Sequence, residues 1–153
     1  MREIELTRGY KAIVDEEDFE RVSQHKWLYI EQGYARTKIN RKTMSLHRFI
    51  MNARPGQVVD HRNHDKLDNR RTNLRICTQR QNSMNKRTPA GRRFKGIDLH
   101  HCGRYRARVR RDGKLLFVGW ADTPEEAAAL YNLGAIKHFG EFAYLNSIPA
   151  PPL

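Results

Sequence analysis

Cysteine is scarce in this sequence, and long apolar runs are missing. Two cysteines, Cys77 and Cys102, are too few for a disulfide framework or for a zinc site built from several cysteines. No apolar run approaches the roughly 20 residues that a membrane-spanning helix requires. The first residues, Met-Arg-Glu-Ile-Glu, also lack the apolar stretch of a signal peptide. We therefore expect an intracellular protein without structural disulfides.

Acidic residues are the second shortage. The chain has 29 Lys and Arg against 17 Asp and Glu, a formal net charge of +12. Residues 1–31 hold eight of the acids and five of the bases, so downstream 24 bases (29 − 5) face nine acids (17 − 8). Such a surface favours polyphosphate partners, with an affinity that falls as salt rises. Nucleic acid is the first expectation. An anionic membrane surface is the second, weakened because no amphipathic Lys-rich helix is evident.

The 153 residues, of which 39% are hydrophobic, suffice for one ordinary domain or two small ones with small cores. The first part of the chain has the composition of short strands around one helix, without recognisable chemistry. Strands are predicted at 10–14, 26–30 and 33–39, and a helix at 15–22 with Asp15 as its N-cap. We interpret this part as scaffold.

The middle of the chain alternates short elements with one long polar loop. The predicted elements are a helix at 46–54 that ends before Pro55, a strand at 57–62, a loop at 63–73, a strand at 74–78 and a helix at 79–86. Thr78 and Gln81 have the spacing of a capping box at the start of the last helix.

The last part of the chain has the pattern of a separate α+β unit. A Pro- and Gly-containing linker at 88–92 precedes strands at 94–97, 104–110 and 114–120 and a helix that ends near Gly140. Asp112-Gly113 is a hairpin signal. Thr123-Pro124-Glu125-Glu126 combines an N-cap, a proline in the first turn and a capping-box glutamate. The Pro-rich end (Pro149, Pro151 and Pro152) is expected to be frayed.

The stretch from Asp60 to Asn82 is dense in side chains that bind metals or move protons. If the strand before the loop faces the helix after it, Asp60 and Asn82 offer two oxygen ligands to a hard cation such as Mg²⁺. His61, with an ordinary pKa near ~6.5, is suited to taking a proton from water. Neighbours on a regular strand point to opposite faces. The strand must therefore end or bulge for Asp60 and His61 to reach one phosphate.

This pattern resembles the HNH nuclease family, in the branch where Asp-His opens the motif and Asn replaces its last His. The resemblance covers residues 46–86 and rests on Asp60-His61, on Asp-Asn-Arg-Arg-Thr-Asn-Leu-Arg at 68–75, and on Asn82. It implies a ββα-metal core in which His61 is the general base and Asn73 orients it through a hydrogen bond. It also implies that Asp60 and Asn82 hold one divalent cation, Mg²⁺ first and Mn²⁺ as the alternative.

Each assignment has a plainer alternative. His61 could be an ordinary histidine at a strand end, Asn73 could terminate the loop, and Asn82 could be a helix-surface residue. His64 stands where many relatives have glycine, which is a departure from the family pattern. His47 matches a frequent family position, with a structural or substrate-side role left open.

Four arginines alternate with less polar residues near the end of the chain. Arg104, Arg106, Arg108 and Arg110 are predicted to lie on one face of a strand and Tyr105, Ala107 and Val109 on the other. Three two-residue steps spread the guanidinium groups over ~20 Å. Such a face can hold phosphates or bond O6 and N7 of guanine. The alternative is a basic face that is merely solvated.

This part of the chain resembles the AP2 domain, a DNA-binding fold whose three-stranded sheet lies in the major groove. The matching segments are Phe94-Lys95-Gly96-Ile97, 103–110, Val118-Gly119-Trp120, 122–131 and 139–146. By position, the resemblance puts Lys95, His100, Arg106, Arg108 and Arg110 on the DNA side, with Phe117 as a further candidate. Asp98 stands where plant members usually carry a base, Cys102 replaces a tryptophan and Leu115 replaces an arginine. The plant target sequence cannot therefore be carried over.

Together these patterns predict an α+β protein with three parts. They are a β-rich scaffold with a ββα-metal HNH core (1–87), a linker (88–92), and an AP2-like three-stranded antiparallel sheet with one helix (93–147). This arrangement resembles homing endonucleases, which implies a double-stranded DNA substrate and the cytoplasm of a phage or bacterial host. No protein partner or membrane is expected, and the choice between monomer and homodimer stays open.

Two other functions fit the same patterns less well. One is a non-catalytic, sequence-specific DNA-binding protein with a degenerate nuclease domain, although all four expected site residues are present. The other is an RNA-directed nuclease, which is disfavoured because a sheet built for a wide major groove fits A-form RNA poorly. The target sequence, and whether one strand or both are cut, stay open.

Overall fold

The computed structural model describes residues 1–149, and the chain divides into two compact units on either side of the Asn82–Ser83 bond. Both units mix helices with antiparallel sheets, so the α+β class expected from the sequence is confirmed. Of the Pro-rich end, Pro151 and Pro152 lie outside the described residues.

The first unit contains three small antiparallel sheets. In chain order its elements are β1 (Arg2–Glu5), β2 (Lys11–Val14), α1 (Glu16–Ser23), β3 (Leu28–Tyr29), β4 (Ala35–Ile39), β5 (Lys42–Ser45), α2 (Leu46–Ile50), β6 (Val58–His61) and β7 (Leu74–Cys77). Helix α3 (Gln79–Met84) begins in this unit. The sheets are β1-β2, β3-β4-β5 and β6-β7.

The core of the first unit forms around Trp27, which is fully buried and donates a hydrogen bond from Nε1 to the Val22 carbonyl at 2.9 Å. Strand β2 supplies the alternation that this core needs, since Ala12 and Val14 are buried and Lys11 is exposed. Burial of a side chain as large as that of Val14 stabilises the fold by about 1.5–3 kcal/mol. The fold of this unit thus rests on a small apolar core.

Strand β2 also holds the long loop between β6 and β7. Ile13 donates its backbone N–H to the Leu67 carbonyl at 2.8 Å and accepts the Asn69 N–H at 2.8 Å. The N-terminal scaffold therefore fixes the loop on which the candidate site depends.

Several details differ from the sequence-based expectations. The strand expected at 26–30 is reduced to Leu28–Tyr29, because only these two residues pair with β4. Asp15 occupies the N-cap position of α1, but its side chain makes no cap bond. Its Oδ2 instead accepts the backbone N–H of Arg71 at 2.7 Å. A long-range contact has here replaced a local one.

The second unit is a three-stranded sheet covered on one face by a helix. Its elements are β8 (Ile97–Leu99), β9 (Tyr105–Arg111), β10 (Lys114–Ala121) and α4 (Pro124–Phe139), with β9 in the centre of the sheet. Ala107 and Val109 of β9 are fully buried in one cluster with Tyr131 and Ala135 of α4. The strand alternation predicted for residues 104–110 is therefore confirmed.

The turn and cap signals of this unit are confirmed. Asp112 and Gly113 both have positive φ, 54° and 77°, as a tight hairpin turn requires. Thr123 accepts the backbone N–H of Glu126, whose carboxylate accepts that of Thr123. The strand expected at 94–97 begins only at Ile97, because Gly96 has a φ of 74° and turns the chain before it.

Candidate functional site

His61 is the last residue of β6, and its surroundings are largely other polar rings. Its side chain is 5% exposed. The ring lies 5.1 Å from that of His47 in an edge-on arrangement and 6.0 Å from that of Tyr34, measured between centroids. His61 pairs with Leu74 in the β6–β7 ladder without a register shift, so β6 neither ends nor bulges between Asp60 and His61. The alternation of neighbouring side chains therefore still applies to these two residues.

The protonation state of His61 is set by burial. Burial lowers its pKa, and the hydrogen bond with Asn69 and the nearby Asp60 oppose that shift only in part. The distance between His61 Nε2 and Asn69 Oδ1 is 3.4 Å, and Asn69 is itself 1% exposed. His61 is therefore neutral at neutral pH and able to accept a proton.

Asn73 lies in a different place from the one expected. Its Oδ1 accepts the backbone N–H of Asn63 at 3.0 Å, and its Nδ2 donates to the Asp68 carbonyl at 2.7 Å. Within residues 1–149 no hydrogen bond joins Asn73 to His61. Asn73 thus closes the loop between β6 and β7, and Asn69 makes the contact with His61 that the sequence suggested for Asn73.

Asp60 is held in a buried ion pair with Arg75, directly across the β6–β7 ladder. Arg75 donates from Nε at 2.9 Å and from Nη2 at 2.7 Å, both to Oδ2 of Asp60. The side chains are 8% and 6% exposed, so the carboxylate is fixed in place and its charge is compensated. No pattern in the sequence points to Arg75 as the partner of Asp60.

Asn82 lies in helix α3 and is connected to the surroundings of Asp60 through Cys77. Thr78 and Gln81 form the predicted capping box, and the Asn82 N–H donates to the Thr78 carbonyl at 3.0 Å. The Cys77 thiol makes a hydrogen bond with the backbone of Asn82. Burial and the charge of Asp60 raise the pKa of that thiol. Asp60 and Asn82 therefore share Cys77 as a neighbour.

The oxygen donors of Asp60 and Asn82 fit a divalent cation that takes few protein ligands. Among the described residues no group of three His, Cys, Asp or Glu side chains is arranged so that it could hold a metal ion. A hard cation bound by one carboxylate and one amide oxygen keeps waters or phosphate oxygens in its remaining positions. The chemistry of the donor set thus suits an ion that bridges protein and phosphate.

Two aromatic residues beside His61 were not assigned a role from the sequence. Burial, with His61 nearby, lowers the pKa of His47 to about 3, so that ring is also neutral. The ring of Tyr34 lies 5.2 Å from that of His47. Burial and the Asp60 carboxylate raise the pKa of the Tyr34 hydroxyl. His47 could have been chosen from its Leu-His-Arg context, whereas Tyr34 precedes β4, far from the motif, and no sequence signal points to it.

The outer face of the second unit carries the predicted arginines, but not as free charges. Asp98 of β8 accepts hydrogen bonds from both Arg106 and Arg108, with Nη2–oxygen distances of 2.7 Å. Arg104 donates from Nε to Asp122 at 2.8 Å, and Arg110 from Nη1 to the Gly113 carbonyl at 3.1 Å. The arginine face is therefore ordered and partly neutralised.

Lys95 differs from the expectation that it faces DNA. Its Nζ donates to the carbonyls of Met84 at 3.0 Å and Lys86 at 2.6 Å, within the second unit. Burial, and to a lesser degree Lys86, lower its pKa to about 8. The ammonium is thus occupied by backbone acceptors.

An exposed aromatic group lies beside the arginines. The rings of Phe117 and Trp120 are 5.5 Å apart, and the His100 ring lies 4.9 Å from that of Trp120. A β-bulge between Phe117 and Gly119 adds one residue to β10. Without it Trp120 would point towards α4, because side chains alternate along a regular strand. The bulge therefore places both rings on the arginine face.

Comparison with known proteins gives two kinds of match. The HNH endonuclease family matches residues 47–84, which include His47, Asp60, His61, Asn73 and Asn82. Over 147 residues the chain is 37% identical to an uncharacterized HNH endonuclease of Acanthamoeba polyphaga mimivirus, covering 92% of this chain and 77% of that protein. This match extends far beyond the motif.

Shorter matches are to plant proteins. The chain is 40% identical over 60 residues to APETALA2-like protein 2 of Oryza sativa subsp. indica, covering 38% of this chain and 14% of that protein. It is 40% identical over 57 residues to an ethylene-responsive transcription factor of Arabidopsis thaliana, covering 35% and 13%. These support a likeness to AP2 over part of the chain.

No solved structure matches the chain. None of the helices in residues 1–149 is long and apolar enough to cross a membrane. The extent of the mimivirus match, and a family match that contains His61 and its neighbours, lead to one conclusion. This chain belongs to the HNH endonuclease family.

Proposed function

We propose that the chain is a metal-dependent DNA endonuclease in which His61 is the general base. The observation that carries the proposal is the neutral, buried imidazole of His61, held by Asn69 and close to Asp60. Hydrolysis of a phosphodiester requires water to attack phosphorus in line with the leaving sugar oxygen. His61 takes the proton from that water as the new P–O bond forms and the bond to the leaving oxygen breaks.

Asp60 and Asn82 would hold the divalent cation, for which Mg²⁺ is the first candidate and Mn²⁺ the second. When bound, such an ion offsets the negative charge that develops on the phosphate and the leaving oxygen. The buried ion pair with Arg75, directly across the ladder, holds the Asp60 carboxylate in one position, as a ligand must be.

Asn69 and Asn73 have different tasks in this proposal. Asn69 orients the His61 ring through Nε2, and Nδ1 would be the nitrogen that accepts the proton. Asn73 is a positioning residue, because its two side-chain bonds brace the loop that carries Asn69. Asn73 thus remains part of the group of residues around His61, through the loop that carries Asn69.

The sheet of the second unit is proposed to bind double-stranded DNA. The plant relatives and the arginine face support this role, and Phe117, Trp120 and His100 extend the surface. The contacting cations would be Arg104, Arg106, Arg108 and Arg110. Lys95 joins them only if its ammonium exchanges the carbonyls of Met84 and Lys86 for phosphate.

The same proposal assigns parts of the chain to tasks, in the manner of a homing endonuclease. Residues 1–87 would cut, residues 93–147 would select the site, and residues 88–92 would link them. Two compact units with their own apolar clusters support such a division.

Cleavage of supercoiled plasmid tests the chemistry. Wild type with Mg²⁺ should convert it to nicked or linear DNA, and EDTA should stop the reaction. His61→Ala should lower the rate by roughly 10²- to 10⁴-fold, the usual contribution of a general base. His138→Ala, a histidine of α4 outside the site, is the matched control and should cut like wild type.

The nuclease proposal fails if wild type with Mg²⁺ or Mn²⁺ cuts neither plasmid nor a library of randomised duplexes that it binds. Equal rates for wild type and His61→Ala would instead remove His61 from its role. The randomised library is needed because a plasmid that lacks the target site stays uncut by an active protein and by an inactive one alike.

A further inference from the structure

Asp98 lies on the outer face of the second unit, in the edge strand β8 where it pairs with the central strand β9. Its Oδ2 accepts hydrogen bonds from Nε (3.2 Å) and Nη2 (2.7 Å) of Arg106. Its Oδ1 accepts from Nε (3.1 Å) and Nη2 (2.7 Å) of Arg108. The three side chains are 28–29% exposed. The carboxylate is therefore part of the surface that a ligand would meet.

The bonds to Asp98 leave a defined edge of each arginine available. A guanidinium has five N–H groups, and Arg106 and Arg108 each use two of them, from Nε and Nη2. Nη1 of neither arginine has a hydrogen-bond partner within residues 1–149. The Nη1–Nη2 edge is the fork that bonds O6 and N7 of guanine together. Asp98 thus holds the two forks in place without blocking them.

Asp98 stays ionised in this setting. Partial burial by itself would raise its pKa, but the hydrogen bonds from Arg106 and Arg108 outweigh burial and lower it. The three groups together carry a charge of +1, whereas two unpaired arginines would carry +2. A phosphate backbone therefore meets a weaker attraction here than the arginine count suggests.

We propose that Asp98 is a specificity-determining residue: it orients Arg106 and Arg108 for paired contacts to base edges and weakens binding to DNA that lacks those bases. The inference rests on the proposed function of this sheet as the DNA-binding surface. The carboxylate repels phosphate at every site alike. Only at a matching site do the two oriented forks compensate for that repulsion.

The magnitude follows from counterion release. Removing one negative charge from the interface adds up to about one released counterion, which steepens the slope of log K against log salt by about 0.9. At ~0.1 M salt this corresponds to roughly tenfold tighter binding to DNA of any sequence.

The test uses the full chain in EDTA, so that bound DNA is not cut. The proteins are wild type, Asp98→Asn, Asp98→Glu and the control Asp112→Asn, which removes a carboxylate at the exposed hairpin turn of the same unit. Salt titrations of binding to one mixed-sequence duplex give the slopes. Selection from a library of randomised duplexes gives the sequence preference of each protein, and circular dichroism checks that each is folded.

Asp98→Asn is expected to bind the mixed-sequence duplex roughly tenfold tighter at ~0.1 M salt and to enrich sequences less selectively than wild type. Asp98→Glu keeps the charge but moves it, so it should keep the wild-type slope and change or weaken the enriched sequence. Asp112→Asn should keep the wild-type enrichment.

Two results would overturn the inference. Enrichment by Asp98→Asn and Asp98→Glu that equals that of wild type and Asp112→Asn would make Asp98 one surface charge among others. Failure of wild type to bind either probe would remove the proposed DNA-binding role itself, and the inference with it. If Asp98→Asn does not fold, the Asp98→Glu comparison decides alone.

Discussion

A buried imidazole can act as a base only while its surroundings keep it neutral and hold its ring in one orientation. Burial keeps the His61 imidazole neutral, and Asn69 holds its ring in one orientation. The stretch 68–75 of the motif contains two asparagines, Asn69 and Asn73, four residues apart. Their roles could not be separated from the sequence, because the loop path decides which one faces the imidazole.

Replacing Asn69 distinguishes its effect on the orientation of the His61 ring from an effect on folding. Asn69→Ala is expected to lower kcat about a hundredfold with KM unchanged, because a misplaced base costs about that much. The hydrogen bond that Asn69 Oδ1 accepts from His61 raises the pKa of His61 against the effect of burial. Its loss should therefore move the acid limb of the pH–kcat profile to lower pH. Asn73→Ala is the comparison: it should lower activity without moving that limb. A shared, unshifted limb in both variants would deny Asn69 its role.

His47 should make the protein sensitive to acid. Its folded-state pKa of about 3 lies below the ordinary value near ~6.5, so the unfolded chain takes up the proton first. The stability linked to His47 is therefore complete above pH ~6.5 and is lost as the pH falls towards 3. Between pH 6.5 and 5 the loss is about 2 kcal/mol, at 1.36 kcal/mol per pH unit.

Urea unfolding at pH 7 and pH 5 measures this loss. His47→Gln, which cannot take up the proton, should lose about 2 kcal/mol less than wild type over that interval. His61 titrates in both proteins, so its contribution cancels in the comparison. An equal loss in the two proteins would show that His47 is not the acid-sensitive group.

At the scale of elements, local signals predicted most boundaries. The capping boxes at Thr78 and Thr123, the Asp112-Gly113 turn and the alternation around Ala107 all appear as expected. Contacts with distant partners were not predicted: the side chain of Asp15 bonds Arg71, and that of Lys95 bonds carbonyls before the sheet. The pairing of Asp98 with two arginines is another such contact, because the register between β8 and β9 cannot be predicted from the sequence of either strand alone.

The turn before β8 depends on the absence of a side chain at Gly96. A Cβ there would lie 2.1 Å from the ring of Tyr131, and φ is 74°. Gly103 has a similar φ of 83°, but no atom lies within 4 Å of its added Cβ. Gly103→Ala should therefore cost only the left-handed strain, about 1–2 kcal/mol. Gly96→Ala should cost about 1–3 kcal/mol more, because both the Tyr131 ring and the Arg108 carbonyl, which would lie 2.6 Å from the added Cβ, must move.

Urea unfolding of the two variants, followed by circular dichroism, gives the difference. Because both substitutions add one methyl group at positive φ, backbone strain cancels between them. Equal stabilities would mean that the ring of Tyr131 moves aside without cost, and that α4 is not packed as tightly on the sheet as the distances indicate.

At the scale of the whole molecule, each unit carries one of the two tryptophans. Trp27 is 1% exposed in the core of the first unit, and Trp120 is 38% exposed on the outer face of the second. The sequence-based division into two units rested on the Pro- and Gly-containing linker at 88–92 and on the α+β pattern that follows it. The position of the division within α3 could not be predicted, because a helix that continues across a boundary gives no break in composition.

The tryptophans give a direct assay for the DNA-binding face. Adding duplex DNA in EDTA should change the emission of wild type through Trp120, because bases or sugars would cover the ring. Trp120→Phe leaves only the buried Trp27, and its emission should not respond to DNA even when anisotropy of labelled DNA reports binding. A full response in Trp120→Phe would place the DNA elsewhere.

The ion pair between Asp60 and Arg75 has a consequence for how the enzyme could be switched off. In a zinc finger the metal compensates the charge of its ligands, so chelation unfolds the protein. Here a guanidinium already compensates the buried carboxylate, with two hydrogen bonds at 2.7–2.9 Å. Removing the proposed cation should therefore inhibit the protein reversibly. Cleavage should stop, the melting temperature should hardly change, and activity should return when the ion is restored.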